Sequence, residues 1–157
     1  ELEEALFGEC PEEEGATSFG ILDDFPDPTT FYFMMKRGSR SGILALSPLL
    51  RHIREAGNGY GARQHLVGHS FGALLVSGAA FASAKTYGEG QFASMALLQG
   101  AFSQNSFRSR LPQVRGNPPG AFRDVIEKKV IKGPFAATYT SNDIALGRLY
   151  AIGARLH

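Results

Sequence analysis

Apolar positions along this chain follow two rhythms, one of short continuous runs and one of helical spacing. Gln64-His65-Leu66-Val67 is a short, mostly apolar run that predicts a buried strand. Ala73 to Ala82, rich in Ala and Leu, predicts a helix directly after it. Upstream, Ile43, Leu46, Leu50 and Ile53 recur at helical spacing, with Pro48 either interrupting or starting the helix. Gly57-Asn58-Gly59-Tyr60-Gly61 ends that helix and turns the chain toward the strand. The aromatic run Phe31-Tyr32-Phe33-Met34-Met35 fits a strand or the start of a helix.

Downstream, Tyr87-Gly88-Glu89-Gly90 predicts a turn, and Phe92 to Leu98 predicts a second buried strand. From Gln99 to Gly120 the chain becomes polar and carries Pro112, Pro118 and Pro119, the pattern of a long excursion. Ala121 to Lys128 predicts a short helix, and Gly133-Pro134 opens a third strand, Phe135 to Thr140. Ile144 to Leu156 has apolar residues at 145, 146, 149, 152 and 156, as a closing helix would. No internal repeat is evident. Strands that alternate with helices require crossover connections, so the expected fold is α/β, a mostly parallel sheet with flanking helices. Functional residues of such sheets collect at the carboxyl ends of the strands.

Gly68-His69-Ser70-Phe71-Gly72 occupies the junction of the first strand and the helix after it. Strand, Gly-X-Ser-X-Gly, helix is the context of a nucleophile elbow. A serine there sits on a strained turn, and a side chain at position 68 or 72 is expected to collide with the strand or the helix. Ser70 would lie at a helix N-terminus, where partial positive charge favours negative charge developing nearby.

At 157 residues, 43% hydrophobic and 20% charged, the chain has the composition of one globular domain rather than of a disordered segment. No run of about 18 apolar residues is present to cross a membrane. The chain begins at Glu1 with neither a methionine nor a signal-like apolar core, which suggests a processed or excised segment. Cys10 is the sole cysteine, which excludes an internal disulfide and a multi-cysteine zinc site. One cysteine suits a reducing compartment, slightly favouring the cytoplasm, but suits many secreted proteins as well.

The net charge of +1 conceals a sharp division. Residues 1–30 hold ten acidic residues and no Lys or Arg; residues 31–157 hold all 16 basic residues against five acidic ones, a balance of +11. The expected organisation is an acidic, irregular leader over residues 1–28, followed by the α/β domain over residues 29–157. Such a leader either stays solvated, repelling itself, or folds back on the basic body. The basic residues are scattered rather than striped and no nucleic-acid motif accompanies them, so no nucleic-acid partner is expected.

An acyl-transfer serine needs a base to take its proton and an acid to orient that base. Asp143 lies three residues beyond the third strand, and Ser141-Asn142-Asp143 reads either as the catalytic acid or as a helix N-cap. His69, His65 and His52 read as packing or surface residues, and His157 alone follows Asp143. His157 is the candidate base; the competing reading places the base beyond this chain. A helix over 144–156 would carry His157 roughly 20 Å from Asp143, so the chain alone is expected to lack an assembled triad and to be weakly active or inactive. One oxyanion donor is expected from the backbone N–H of Phe71. No His-Gly-Gly type loop precedes the elbow, and the Gly-rich Gly38-Ser39-Arg40-Ser41-Gly42 reads as a turn without the spacing of a phosphate-binding loop. The four histidines lack metal-ligand spacing, so neither a metal nor a cofactor is expected.

From about Phe31 to Leu156 the chain resembles the α/β-hydrolase superfamily. The resemblance rests on His65-Leu66-Val67-Gly68-His69-Ser70-Phe71-Gly72-Ala73, on Leu97-Leu98-Gln99-Gly100-Ala101-Phe102, and on Ser141-Asn142-Asp143. It is similar to a bacterial or fungal subgroup of uncharacterised serine-hydrolase-like proteins in Met35-Lys36-Arg37-Gly38 and in the segment from Pro119 to Val125. This implies Ser70 as nucleophile, Asp143 as acid, Phe71 N–H as oxyanion donor, and a small ester-like molecule as substrate. Complete members have further strands before the elbow and a late strand bearing the histidine, so this chain corresponds to the central and rear part of such a fold. A hydrolase-fold module that binds without catalysis is the alternative.

Overall fold

The computed structural model describes residues 28–138 apart from Gln113, and for residues 28–32 the backbone alone. The leader up to residue 27 with Cys10, the strand residues Tyr139 and Thr140, Asp143, the helix expected over 144–156 and His157 lie outside the described residues.

A nearly continuous helical stretch opens the described chain. Helix α1 (Pro28–Ser41) passes through a π-helical turn (Gly42–Leu46) into α2 (Ser47–Gly57), which ends in a 3-10 turn (Asn58–Tyr60). Gly61 closes it with φ 64°, a left-handed conformation that glycine adopts without a Cβ penalty. The aromatic run at 31–35 is therefore helical, within α1. Pro48 sits in the first turn of α2, directly after the π-helical turn, and offers no N–H to the carbonyls of that turn.

The stretch Gly38 to Gly42, expected as a turn, is helical instead, and its small residues serve packing. A Cβ on Gly42 would lie 2.1 Å from the Leu75 carbonyl oxygen, and one on Gly78 would lie 2.6 Å from that of Ser39. The two backbones approach too closely for side chains between them.

The rest of the described chain alternates strand and helix: β1 (His65–His69), α3 (Phe71–Thr86), β2 (Ser94–Leu98), α4 (Arg123–Glu127) and β3 (Phe135–Thr138). The strands form a parallel sheet in the order β1-β2-β3, with His65 opposite Ser94 and Met95 opposite Phe135. The fold is thus α/β with a small three-stranded parallel sheet. Strand β1 runs two residues further than its apolar run suggests. Phe92, expected inside β2, lies before it and makes an isolated bridge to Ile131.

Helix α3 is enclosed on several sides, which is why its sequence carries no amphipathic stripe. From Ala73 to Ala84 it has ten buried residues, among them Ser77 and Gly78. Leu66, Met95 and Leu97 of the sheet join Leu74 and Phe81 of α3 in one core. The excursion after β2 is anchored to that core by its aromatics. Phe122 lies 6.3 Å from Phe81, 5.8 Å from Phe102 and 5.6 Å from Phe107, ring centre to ring centre. Backbone bonds from Phe122 N–H to the Ser106 carbonyl (2.7 Å) and from Gly120 N–H to that of Arg108 (2.8 Å) hold the same loop closed.

Candidate active site

Ser70 stands alone between the end of β1 and the first residue of α3, at the carboxyl end of the sheet. Its backbone has φ 52° and ψ −120°, a conformation that costs a non-glycine residue on the order of 1–3 kcal/mol. The surroundings over-determine this turn. Ser70 N–H donates to the Leu98 carbonyl (3.0 Å), and the Ser70 carbonyl accepts from Ala73 N–H (3.1 Å) and from Ala101 N–H (3.1 Å). The elbow is thus clamped by its own helix and by the chain leaving β2.

The two glycines of the motif play different parts. A Cβ on Gly68 would lie 2.4 Å from the Gly72 carbonyl oxygen and 2.6 Å from Ala73 N, so β1 and α3 meet only because position 68 is bare. Gly72 differs from expectation: a Cβ there meets nothing within 4 Å. Its small size leaves open space beside Ser70 rather than relieving a collision.

The described histidines are dispersed. His65 and His69 both project from the exposed side of β1, and each pairs with a polar neighbour: His65 Nδ1 with Ser94 Oγ (2.7 Å), His69 Nε2 with Gln99 Oε1 (3.0 Å). His52 is exposed on α2. Among the described residues no group of three or more His, Cys, Asp or Glu is placed to hold a metal ion. Nor is any described helix long and apolar enough to cross a membrane.

Asp143 and His157 lie outside the described residues. The Phe71 N–H stands at the start of a 16-residue helix, where the first amides lack intrahelical acceptors and the macrodipole favours an anion. Gly38 to Gly42, the Gly-rich stretch before the elbow, lies inside a helical run whose amides serve the helical ladder.

One supporting feature escaped the sequence. Gln99 has φ 46°, and its own N–H donates to the Thr138 carbonyl (3.1 Å), which turns the chain so that Ala101 reaches Ser70. The signal for it was the polar Gln99-Gly100 pair set directly after an apolar strand. Comparison of the chain with family models, with curated proteins and with solved structures gives no match.

Proposed function

We propose that this chain is a serine hydrolase of the α/β-hydrolase type, or the central and rear part of one. The observation that carries the reading is the backbone of Ser70. A serine held at φ 52° and ψ −120° between a parallel strand and a 16-residue helix has the backbone turn of a nucleophile elbow, and its hydroxyl is not spent on capping that helix. The open space at Gly72 leaves room for a substrate carbonyl beside it.

In this reading Ser70 Oγ attacks an ester-like carbonyl while its proton passes to an imidazole oriented by Asp143; His157 is the candidate within this chain, and a histidine beyond it is the alternative. The oxyanion that forms is held by the Phe71 N–H and the positive end of α3. Collapse of the tetrahedral species expels the alcohol, which takes the proton from the imidazole. Water then attacks the acyl-serine, gives its proton to the same imidazole and releases the acid.

A fluorophosphonate probe tests this, because it labels only a serine made nucleophilic. The expected result is labelling that disappears in Ser70→Ala. Even a site short of a base keeps part of its rate enhancement through the oxyanion donors, so slow labelling over hours is still readable. If His157 is the base, His157→Ala lowers the labelling rate. Native chain that stays unlabelled would leave a hydrolase-fold module without catalysis as the better reading.

A further inference from the structure

The excursion between β2 and α4 carries charge that the described fold leaves unpaired. From Gly90 to Arg123 the chain has no Asp or Glu, while Arg108, Arg110 and Arg115 all stand exposed. The ion pairs among the described residues engage Arg51, Lys85 and Arg123, and none engages these three. Their backbone is nonetheless fixed. Beyond the closure between Gly120 and Arg108, Leu111 N–H donates to the Pro118 carbonyl (2.8 Å) and Val114 N–H to that of Leu111 (2.9 Å). Asn117 N–H donates in turn to the Val114 carbonyl (3.0 Å), and Gly116 and Asn117 turn the tip with φ of 87° and 48°. Val114, next to Arg115, is 43% exposed.

We propose that this loop docks an acidic peptide segment of a partner protein, with carboxylates taken by Arg108, Arg110 and Arg115 and an apolar side chain by Val114. A guanidinium presents a planar fork that matches a carboxylate with two parallel hydrogen bonds. Three such groups on one loop repel one another, and a carboxylate ligand relieves that repulsion. Because the loop backbone is already held, little ordering entropy is lost when a partner binds. The surroundings separate this partner from other polyanions. A single-stranded nucleic acid is bound by aromatic rings on which bases stack, and here Phe102, Phe107 and Phe122 are packed on one another. A lipid surface is held by a broad apolar face, whereas Val114 is the one large apolar side chain exposed among the described residues of the excursion. This inference is independent of the chemistry assigned to Ser70.

Fluorescence anisotropy of the full chain with a short labelled peptide of Glu and Val residues tests it, beside a counterpart in which Gln replaces Glu. The expected result is binding of the Glu peptide and not of the Gln peptide. Changing Arg108, Arg110 and Arg115 together to Ser should weaken that binding about tenfold, the combined effect of three exposed ion pairs. Changing Arg37, Arg63 and Lys128 to Ser removes as much charge from exposed positions elsewhere and should weaken it by no more than about twofold, since distant charges are screened. Equal losses in the two variants would mean diffuse attraction to a basic body and overturn the proposal, as would failure of the Glu peptide to bind. Tighter loop-dependent binding of a DNA oligonucleotide or of phosphatidylserine vesicles overturns it in favour of those partners. Should the loop variant lose its fold, amide chemical shifts of the native chain decide. Arg108, Arg110, Val114 and Arg115 are expected to shift as the Glu peptide is added, and shifts confined to other residues also overturn it.

Discussion

Ser70 concentrates what one residue contributes to this molecule. Its φ of 52° is natural to glycine and unfavourable to alanine and serine alike. Ser70→Gly is therefore expected to be more stable than Ser70→Ala by about 1 kcal/mol, the relief of strain less the entropy glycine adds to the unfolded chain. Paired thermal melts would check this; equal melting points would mean that the turn stores no strain. Gly68 shows the opposite constraint. Gly68→Ala forces a Cβ within 2.4 Å of a backbone oxygen, where nothing flexible can yield, and about 1–3 kcal/mol of overpacking should follow in denaturant unfolding. Gly72→Ala, with open space around it, should cost far less. The sequence disclosed the serine and both glycines but not this difference. A motif records that a residue is small, whereas only the packing shows whether smallness avoids a clash or leaves a space.

Among the elements, those with one strong local signal were legible. The unbroken Ala- and Leu-rich run announced α3, and the short apolar runs announced all three strands. The Gly-rich stretch before α2 misled, because glycine signals a turn through backbone freedom and a close helix contact through its missing side chain, and the two are alike in sequence. Adjacent positions of α3 separate these effects. Ser77 is fully buried and its hydroxyl has no hydrogen-bond partner among the described residues. Ser77→Ala removes an unsatisfied polar group and should leave stability unchanged or raise it by about 1 kcal/mol. Gly78→Ala drives a Cβ to 2.6 Å from the Ser39 carbonyl oxygen and should lower stability by about 1–3 kcal/mol. Opposite signs at neighbouring residues would show that α1 and α3 touch backbone to backbone; two losses of equal size would contradict that contact.

At the scale of the whole molecule, the described residues bury one face of the sheet and leave the other exposed. Along β1, Leu66 and Gly68 turn toward α3, while His65, Val67 and His69 turn outward. The hydrogen bonds assign the edge as well: the Gln64 carbonyl accepts from Ala93 N–H and Ser70 N–H donates to the Leu98 carbonyl, so these even positions face β2. The backbone groups of 65, 67 and 69 then point to the outer edge. No described residue forms a strand beside that edge, and an uncovered edge beside an apolar residue favours pairing with other chains. Parallel sheets are ordinarily covered on both faces, which the strand pattern alone could not settle, since alternation reports burial without saying which partner provides it. Substitution by lysine reads the difference directly. Val67 is 65% exposed, so Val67→Lys should change stability by no more than about 0.5 kcal/mol and should reduce self-association at high concentration. Leu66, at 4% exposure, takes no charge without unfolding, and Leu66→Lys should abolish the cooperative melt. Circular dichroism melts with sedimentation of the two variants decide it. If Val67→Lys unfolds the chain as Leu66→Lys does, the outer face is covered in solution, and the sheet is buried on both sides as its parallel strands require.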